Sequence, residues 1–460
     1  MNGLKINTLL AFLIIGIFSA CNSEKKTNQP NIIVFLADDM GWGDSGCYGS
    51  EKILSPNIDK LASQGVRFTQ AYAACGVCSP SRSAILTGRT PYRNGVWRHL
   101  SGNNKAHLRT SEITYPTLLK EAGYETCHVG KWHLNAKDQF NNPEYPQPND
   151  HGYDYWMATH NNASPSHKNP DNFVRNGEAI GEVNAFSAPF VAKEAIHWLK
   201  DIRDPKKPFV LSIWVHEPHH PIATDDPFLQ PYGKDKNAKY MGNITQLDFA
   251  LGQVMETLDA EGLTDNTLFI FTSDNGPEGR SAIKGGSTGG LRGRKRDDFE
   301  GGIRVPGIVR WPGHIEPGTE SDIPIIGSDI FATALDVAGV PLPSDRKIDG
   351  VSLLPAFAGE SLVREIPMFW RTHVSLPDSR VAIRIGDWKM VGNETMDSLL
   401  LFNIVDDPTE TNDLADKFPE KYNELKKELF EVWEDIQSEG PSEWWLDPNL
   451  PPRKGNKLAY

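Results

Sequence analysis

The stretch NIIVFLADDMGWGD, residues 31–44, is an unbroken apolar run from Ile32 to Ala37 that stops at two acids. A strand buried on both faces of a parallel sheet reads this way: continuous hydrophobics, then an abrupt polar loop. The pattern recurs. NTLFIFTSDNG (266–276) runs through Thr267–Thr272 and ends in Asp274 and Asn275; PFVLSIWVHEPHHP (208–221) ends in three histidines. Helical stretches alternate with these strands: SPNIDKLASQG (55–65) with Ser55 as its cap, YPTLLKEAGY (115–124), and Asp248–Glu261 before a Gly262 stop. Such alternation predicts an α/β fold with a mostly parallel central sheet sandwiched by helices. Ligands of open parallel sheets gather at the carboxyl ends of the strands, so these polar strand ends are expected to converge on one crevice.

After about residue 341 the texture changes. PLPSDRKIDG (341–350) is a loop, VSLLPAFAGE (351–360) a short element, and MFWRTHV, RVAIRIGDWKMVG and DSLLLFNIV read as antiparallel strands. FPEKYNELKKELFEVWEDIQ (418–437) is strongly amphipathic. We expect a catalytic domain over 31–365 and a smaller α+β C-terminal subdomain over 366–460.

The chain has 460 residues, 39% hydrophobic and 23% charged, the composition of an ordinary globular protein. A net charge of −13 argues against a nucleic-acid partner, because neutralising phosphates takes clustered Lys and Arg. The N-terminus has Lys5, an apolar run Leu9–Phe18 too short to span a bilayer, and then Ser19, Ala20 and Cys21. Residues 1–21 therefore read as a lipoprotein-type signal, with Cys21 the lipid anchor and 22–30 a tether. The protein is expected to be exported to the periplasm or cell surface, with a plain secretory signal as the alternative. Five cysteines, at 21, 47, 75, 78 and 127, are too few for a disulfide scaffold.

CSPSRSAILTGR (78–89) places a nucleophile at a helix start. Ser79 is a good N-cap, Pro80 suits the first turn and Gly88 the end; Cys78 would sit just outside, where the dipole gathers anions and lowers a thiol pKa, with Arg82 reaching back. Asp38, Asp39, Asp274 and Asn275 are oxygen donors suited to Ca²⁺ or Mg²⁺ rather than zinc. In GKWHL (130–134), period-two alternation would put Lys131 and His133 on one side of an extended segment, a cation beside a proton carrier. HEPHHP offers His216, His219 and His220 as proton donors; zinc binding by adjacent histidines is a weak alternative. GGLRGRKRDDFEGG (289–302) brings Arg292, Arg294, Lys295 and Arg296 soon after SDNG, either an anion contact or a solvated charge run. Cys75 and Cys78 form a CxxC, but a redox reading leaves the oxygen ligands and the basic loop without a purpose.

Taken in order, ADDMGWGD, CSPSRSAILTGR, GKWHL, PHHP, TSDNG and EGGIRVP resemble the signatures of the type I sulfatases of the alkaline phosphatase superfamily, over roughly residues 30–450. The resemblance implies an alkaline phosphatase-like fold and a sulfatase acting on sulfate esters, with sulfated carbohydrates the expected substrates. It implies that a formylglycine-generating or sulfatase-maturating enzyme oxidises Cys78 to formylglycine (3-oxoalanine), held as its hydrate. One Ca²⁺ would be held by Asp38, Asp39, Asp274, Asn275 and an oxygen of converted Cys78. By the same resemblance, Arg82 and Lys131 stabilise the converted residue and the sulfate. His219 and Lys295 contact the sulfate and help protonate the leaving alcohol, and His133 assists release of sulfate. Family lysines are usually flanked by glycines, whereas here the run is Arg294-Lys295-Arg296, so the acting cation could be shifted; His216 and His220 likewise stay open as actors. A phosphodiester or phosphonate hydrolase and a non-catalytic sulfated-glycan binder are the alternatives. Substrate choice is expected in loops 96–109 and 151–172.

Overall fold

The computed structural model describes residues 29–101, 106–279 and 285–439. The signal, the Cys21 anchor and nearly all of the tether lie outside them. Among the described residues no helix is long and apolar enough to cross a membrane.

A ten-stranded sheet forms the centre. Its middle is parallel: Thr267–Ser273, Asn31–Ala37, Phe209–Trp214, Glu125–Lys131 and Tyr155–Thr159 lie side by side in that order. The strands read from the sequence as separate apolar runs are thus immediate neighbours, which is why their polar ends meet. Antiparallel strands Gly307–Arg310 and Val174–Arg175 flank this core.

Strand 31–37 shows why two helical layers are needed. Ile33, Phe35 and Ala37 enter one apolar cluster, while Ile32, Val34 and Leu36 enter another. The first is covered by helices Pro56–Ser63, Ser187–His197 and Ala238–Ala260; the second by Cys78–Thr87, Tyr115–Glu121 and Asp329–Val337. Both faces of the sheet are dry, so the continuous hydrophobic runs follow from burial. The third of these helices starts ten residues before the expected Asp248. Gly242 and Asn243 look like breakers in the sequence, yet a Cβ at Gly242 would come within 2.9 Å of the Phe228 carbonyl oxygen, so glycine serves close packing there.

The C-terminal antiparallel sheet runs in the order Met368–Arg371, Val381–Ile385, Trp388–Gly392, Leu399–Asn403, with the helix Pro419–Glu439 against it. It is fastened to the central part by polar contacts as well as packing. The Trp370 indole N–H donates to the Ala73 carbonyl at 2.8 Å, and Lys389 bridges Glu300 and Glu410 at 2.9 Å each, fully buried. Thr372 lies beside Cys75 and receives the Gly76 N–H at 3.3 Å. Arg89 pairs with Glu112 and Glu439, and Arg93 with Asp349, Asp435 and Glu439, so the end of the nucleophile helix is tied to the last helix.

Candidate active site

Four parallel strands deliver the site. Asp38 and Asp39 follow strand 31–37, Asp274 and Asn275 follow 267–273, Lys131 ends 125–131, and His219 lies in the loop after 209–214. Helix Cys78–Thr87 brings Cys78 and Arg82 from above one face.

Each carboxylate has a close cation, and Arg82 reaches Asp38 Oδ1 as well, at 3.7 Å. Lys131 Nζ donates to Asp38 Oδ2 at 2.6 Å; Lys295 Nζ donates to both Asp39 oxygens at 2.5 and 2.8 Å; Arg82 Nε donates to Asp274 Oδ2 at 2.9 Å and its guanidinium lies 5.2 Å over the Trp214 ring. Arg82 also donates to the Lys131 carbonyl at 3.1 Å, locking helix to strand. Asn275 Nδ2 donates to Asp39 Oδ1 at 2.7 Å. Asp39 itself has φ 68°, a left-handed backbone that is costly for a side-chain-bearing residue and marks a geometry imposed by its surroundings.

Burial sets the proton affinities. Asp39 is pushed up to about 6 by burial, with Lys295 opposing and Asp38 and Asp274 adding to the rise. Burial would also raise Asp38, but Lys131 and Arg82 outweigh it and hold the carboxylate well below its usual range. Burial, with nearby Lys131 and, for His99 and His219, Lys295, keeps His133, His99 and His219 well below the ordinary imidazole range, so all three rings rest neutral. His133 Nε2 bonds the Leu100 carbonyl at 2.9 Å, which requires the proton on Nε2 and leaves Nδ1 with its lone pair; Nδ1 is buried and has no hydrogen-bond partner. His219 donates from Nδ1 to the His220 carbonyl at 2.5 Å, and its Nε2 is 3.6 Å from Asp39 Oδ2.

Three details differ from the sequence reading. The helix begins at Cys78, with Val77 in the capping position, so Ser79 lies inside it and instead accepts the Leu100 N–H at 3.2 Å. The Cys78 thiol is not acidified: burial pushes it up to about 12 against the pull of Lys131 and Lys295. Lys131 and His133 do converge on the site, but not by strand alternation, since the strand ends at Lys131 and His133 turns into the left-handed region at φ 60°. Gly130 precedes that turn at φ 108°, where a Cβ would sit 1.9 Å from the Trp214 carbonyl oxygen.

The basic loop sorts itself. Lys295 points to Asp39, while Arg294 donates to the carbonyls of Glu278 and Gly286 and Arg296 pairs with Glu278. His216 is buried between Thr159 Oγ1 and Ser187 Oγ at 2.7 Å each and braces the loop. His99 was not singled out by the sequence. One of its ring nitrogens lies with Cys78 Sγ and a His133 nitrogen in a cluster 4.8 Å across, and its ring meets His133 edge to face at 4.6 Å. Its only prior signal was its place in the 96–109 loop.

The donor set suits a hard divalent cation. Asp38 Oδ1 and Asn275 Oδ1 are buried oxygens without a hydrogen bond, beside Asp39 and Asp274, all at strand ends. A family model described as Sulfatase matches residues 30–340. The chain belongs to the sulfatase family. A second model, the C-terminal region of N-sulphoglucosamine sulphohydrolase, matches residues 294–439 of this sulfatase. It is 36% identical over 390 residues to the N-acetylgalactosamine-6-sulfatase of Canis lupus familiaris, covering 78% of this chain and 71% of that one. To the steryl-sulfatase of Homo sapiens it is 32% identical over 433 residues, covering 76% and 73%. Among solved structures, Ps i-CgsB in complex with k-i-k-neocarrahexaose matches with a TM-score of 0.80 and 28% identity, over 94% of this sulfatase and 100% of that chain. A phosphonate monoester hydrolase of Agrobacterium radiobacter shares the fold at a TM-score of 0.64 and 20% identity, covering 89% and 96%. The protein is a sulfuric ester hydrolase with the alkaline phosphatase-like architecture.

Proposed function

We propose that this sulfatase hydrolyses sulfate esters of carbohydrates, using formylglycine made from Cys78 and one Ca²⁺ held by Asp38, Asp39, Asp274 and Asn275. The observation that carries the reading is the convergence of those oxygen donors with Lys131, Lys295 and Arg82 around a buried Cys78 at a helix N-terminus. The carbohydrate assignment draws on the substrate named for the galactosamine-6-sulfatase relatives and on the neocarrahexaose bound by the structural neighbour. Converted Cys78 would supply an oxygen nucleophile, and the cation would polarise the sulfate.

The chain's own residues divide the remaining work. Three buried carboxylates face three buried cations, so the side chains already balance; a divalent cation then matches the two charges of the sulfate product. Lys131 and Lys295 lie beside Cys78 and hold the anion, and Arg82 keeps Asp274 and strand 125–131 in register. His219, neutral at rest, has its Nδ1 proton committed to a carbonyl and its Nε2 beside Asp39. Arrival of an anionic ester raises its affinity for a second proton, which it then delivers to the departing sugar oxygen. His133 Nδ1, unprotonated near Cys78, accepts a proton when sulfate is released.

Peptide mass analysis of Cys78 from the native host, with turnover of aryl sulfate, aryl phosphodiester and defined sulfated oligosaccharides, tests this directly. The expected result is the aldehyde mass at position 78 and desulfation of oligosaccharides. An unmodified thiol, or a preference for the phosphodiester, overturns it. Cys78→Ala should keep the fold while turnover falls to background.

A further inference from the structure

Cys78 belongs to two clusters of different chemistry. One joins Cys78 Sγ with a carboxylate oxygen each of Asp38 and Asp39 and a ring nitrogen of His219. The other joins Cys78 Sγ with one ring nitrogen each of His99 and His133, all within 4.8 Å of one another. A thiolate with two imidazoles is a borderline-soft donor set that hard Ca²⁺ does not favour and Zn²⁺ does. We propose that the chain with Cys78 left as the encoded thiol binds one Zn²⁺ through Cys78, His99 and His133, a site distinct in chemistry from the oxygen site beside it.

Three features support the assignment. Donor atoms around tetrahedral zinc stand about 3.5 Å apart, given Zn–S near 2.3 Å and Zn–N near 2.0 Å, so the cluster has to contract by about 1.3 Å at most. His133 is already in the ligand tautomer: its Nε2–H is spent on the Leu100 carbonyl, the outer partner that zinc-bound histidines commonly have, and Nδ1 is a buried, unpartnered lone pair. His99 is partly buried while Cys78 and His133 are fully buried, so His99 is the member of the cluster nearest solvent. The nearby Lys131 and Lys295 do not bar a cation, since their charges are met by Asp38 and Asp39. Binding forms one S–Zn and two N–Zn bonds, releases the thiol proton to solvent and leaves water in the fourth position. Replacing sulfur by oxygen at residue 78 removes the soft donor, so conversion and zinc binding exclude each other.

The test uses the full chain produced without a maturating enzyme, titrated with Co²⁺ as a spectroscopic stand-in for Zn²⁺ and with no Ca²⁺ added, so that Asp38 and Asp39 stay paired with Lys131 and Lys295. One Co²⁺ per chain should bind with thiolate charge-transfer absorption and the intense visible bands of four-coordination, and one equivalent of Zn²⁺ should displace it. Cys78→Ser should abolish the charge-transfer band and weaken binding at least about a hundredfold. His99→Ala should weaken it about tenfold with an unchanged melting curve, and Asp39→Asn should leave the band in place. Weak six-coordinate spectra indifferent to Cys78→Ser, or no binding at micromolar metal, overturn the proposal. Because the readout is spectroscopic, it stands or falls independently of whether the converted enzyme desulfates sugars.

Discussion

At the scale of single residues, position within the loop matters more than residue type. Arg294, Lys295 and Arg296 are three cations in a row, yet only Lys295 reaches a carboxylate of the site, and Asp39 holds its ammonium above the ordinary range despite burial. Lys295→Ala strips a buried carboxylate of its partner and the sulfate of a contact, so kcat/KM should fall about 10²–10³-fold. Arg294→Ala, which removes only carbonyl contacts, should cost less than about tenfold. Steady-state kinetics on one substrate separate the two, and equal losses would move the acting cation. This selectivity was not legible in the sequence, because Arg294 and Arg296 are turned aside by partners at Glu278 and Gly286.

At the scale of elements, the strand ends were legible because burial on both faces leaves no charged residue inside strands 31–37 and 267–273: the first acids after Ala37 and Ser273 had to lie at the strand mouth. The start of the nucleophile helix was not. Residues 75–76 are held by Thr372, almost three hundred positions away, and that contact admits Cys78 to the first turn where local cap preference favoured Ser79. Arg89, the last residue of the most recognisable stretch of the chain, and Arg93 just after it prove to bind the last helix. Arg93 is fully buried against Asp349, Asp435 and Glu439, so Arg93→Ala should destabilise the protein by about 3 kcal/mol or more and speed amide exchange toward the 435–439 end of that helix. Hydrogen exchange by mass spectrometry reads this; unchanged protection there would show that the ion network does not hold the helix.

At the scale of the whole molecule, several carboxylates are buried without a full counter-charge. Glu217 accepts hydrogen bonds from the Ala188 N–H and from Gln246, while its second oxygen has no partner. Burial pushes it up to about 7 from 4.5. Between those values the folded chain keeps a proton that the unfolded chain has released, so stability falls as pH rises through the window, by up to about 3 kcal/mol from this group. Glu217→Gln removes the titration; its gain in denaturation midpoint over the parent should be near zero at pH 4 and largest at pH 8. A gain independent of pH would show that Glu217 is charged throughout.

The seam between the C-terminal sheet and the central sheet carries a further meaning. Trp370 holds the carbonyl of Ala73, Thr372 holds Gly76, and Lys389 closes a buried triad with Glu300 and Glu410, so the segment leading into Cys78 rests on residues encoded after position 365. A chimaera that exchanged this C-terminal part for a relative's would alter the floor beneath its own nucleophile. The two parts can therefore diverge only together, and the same seam is where a shuffled or truncated gene would fail first.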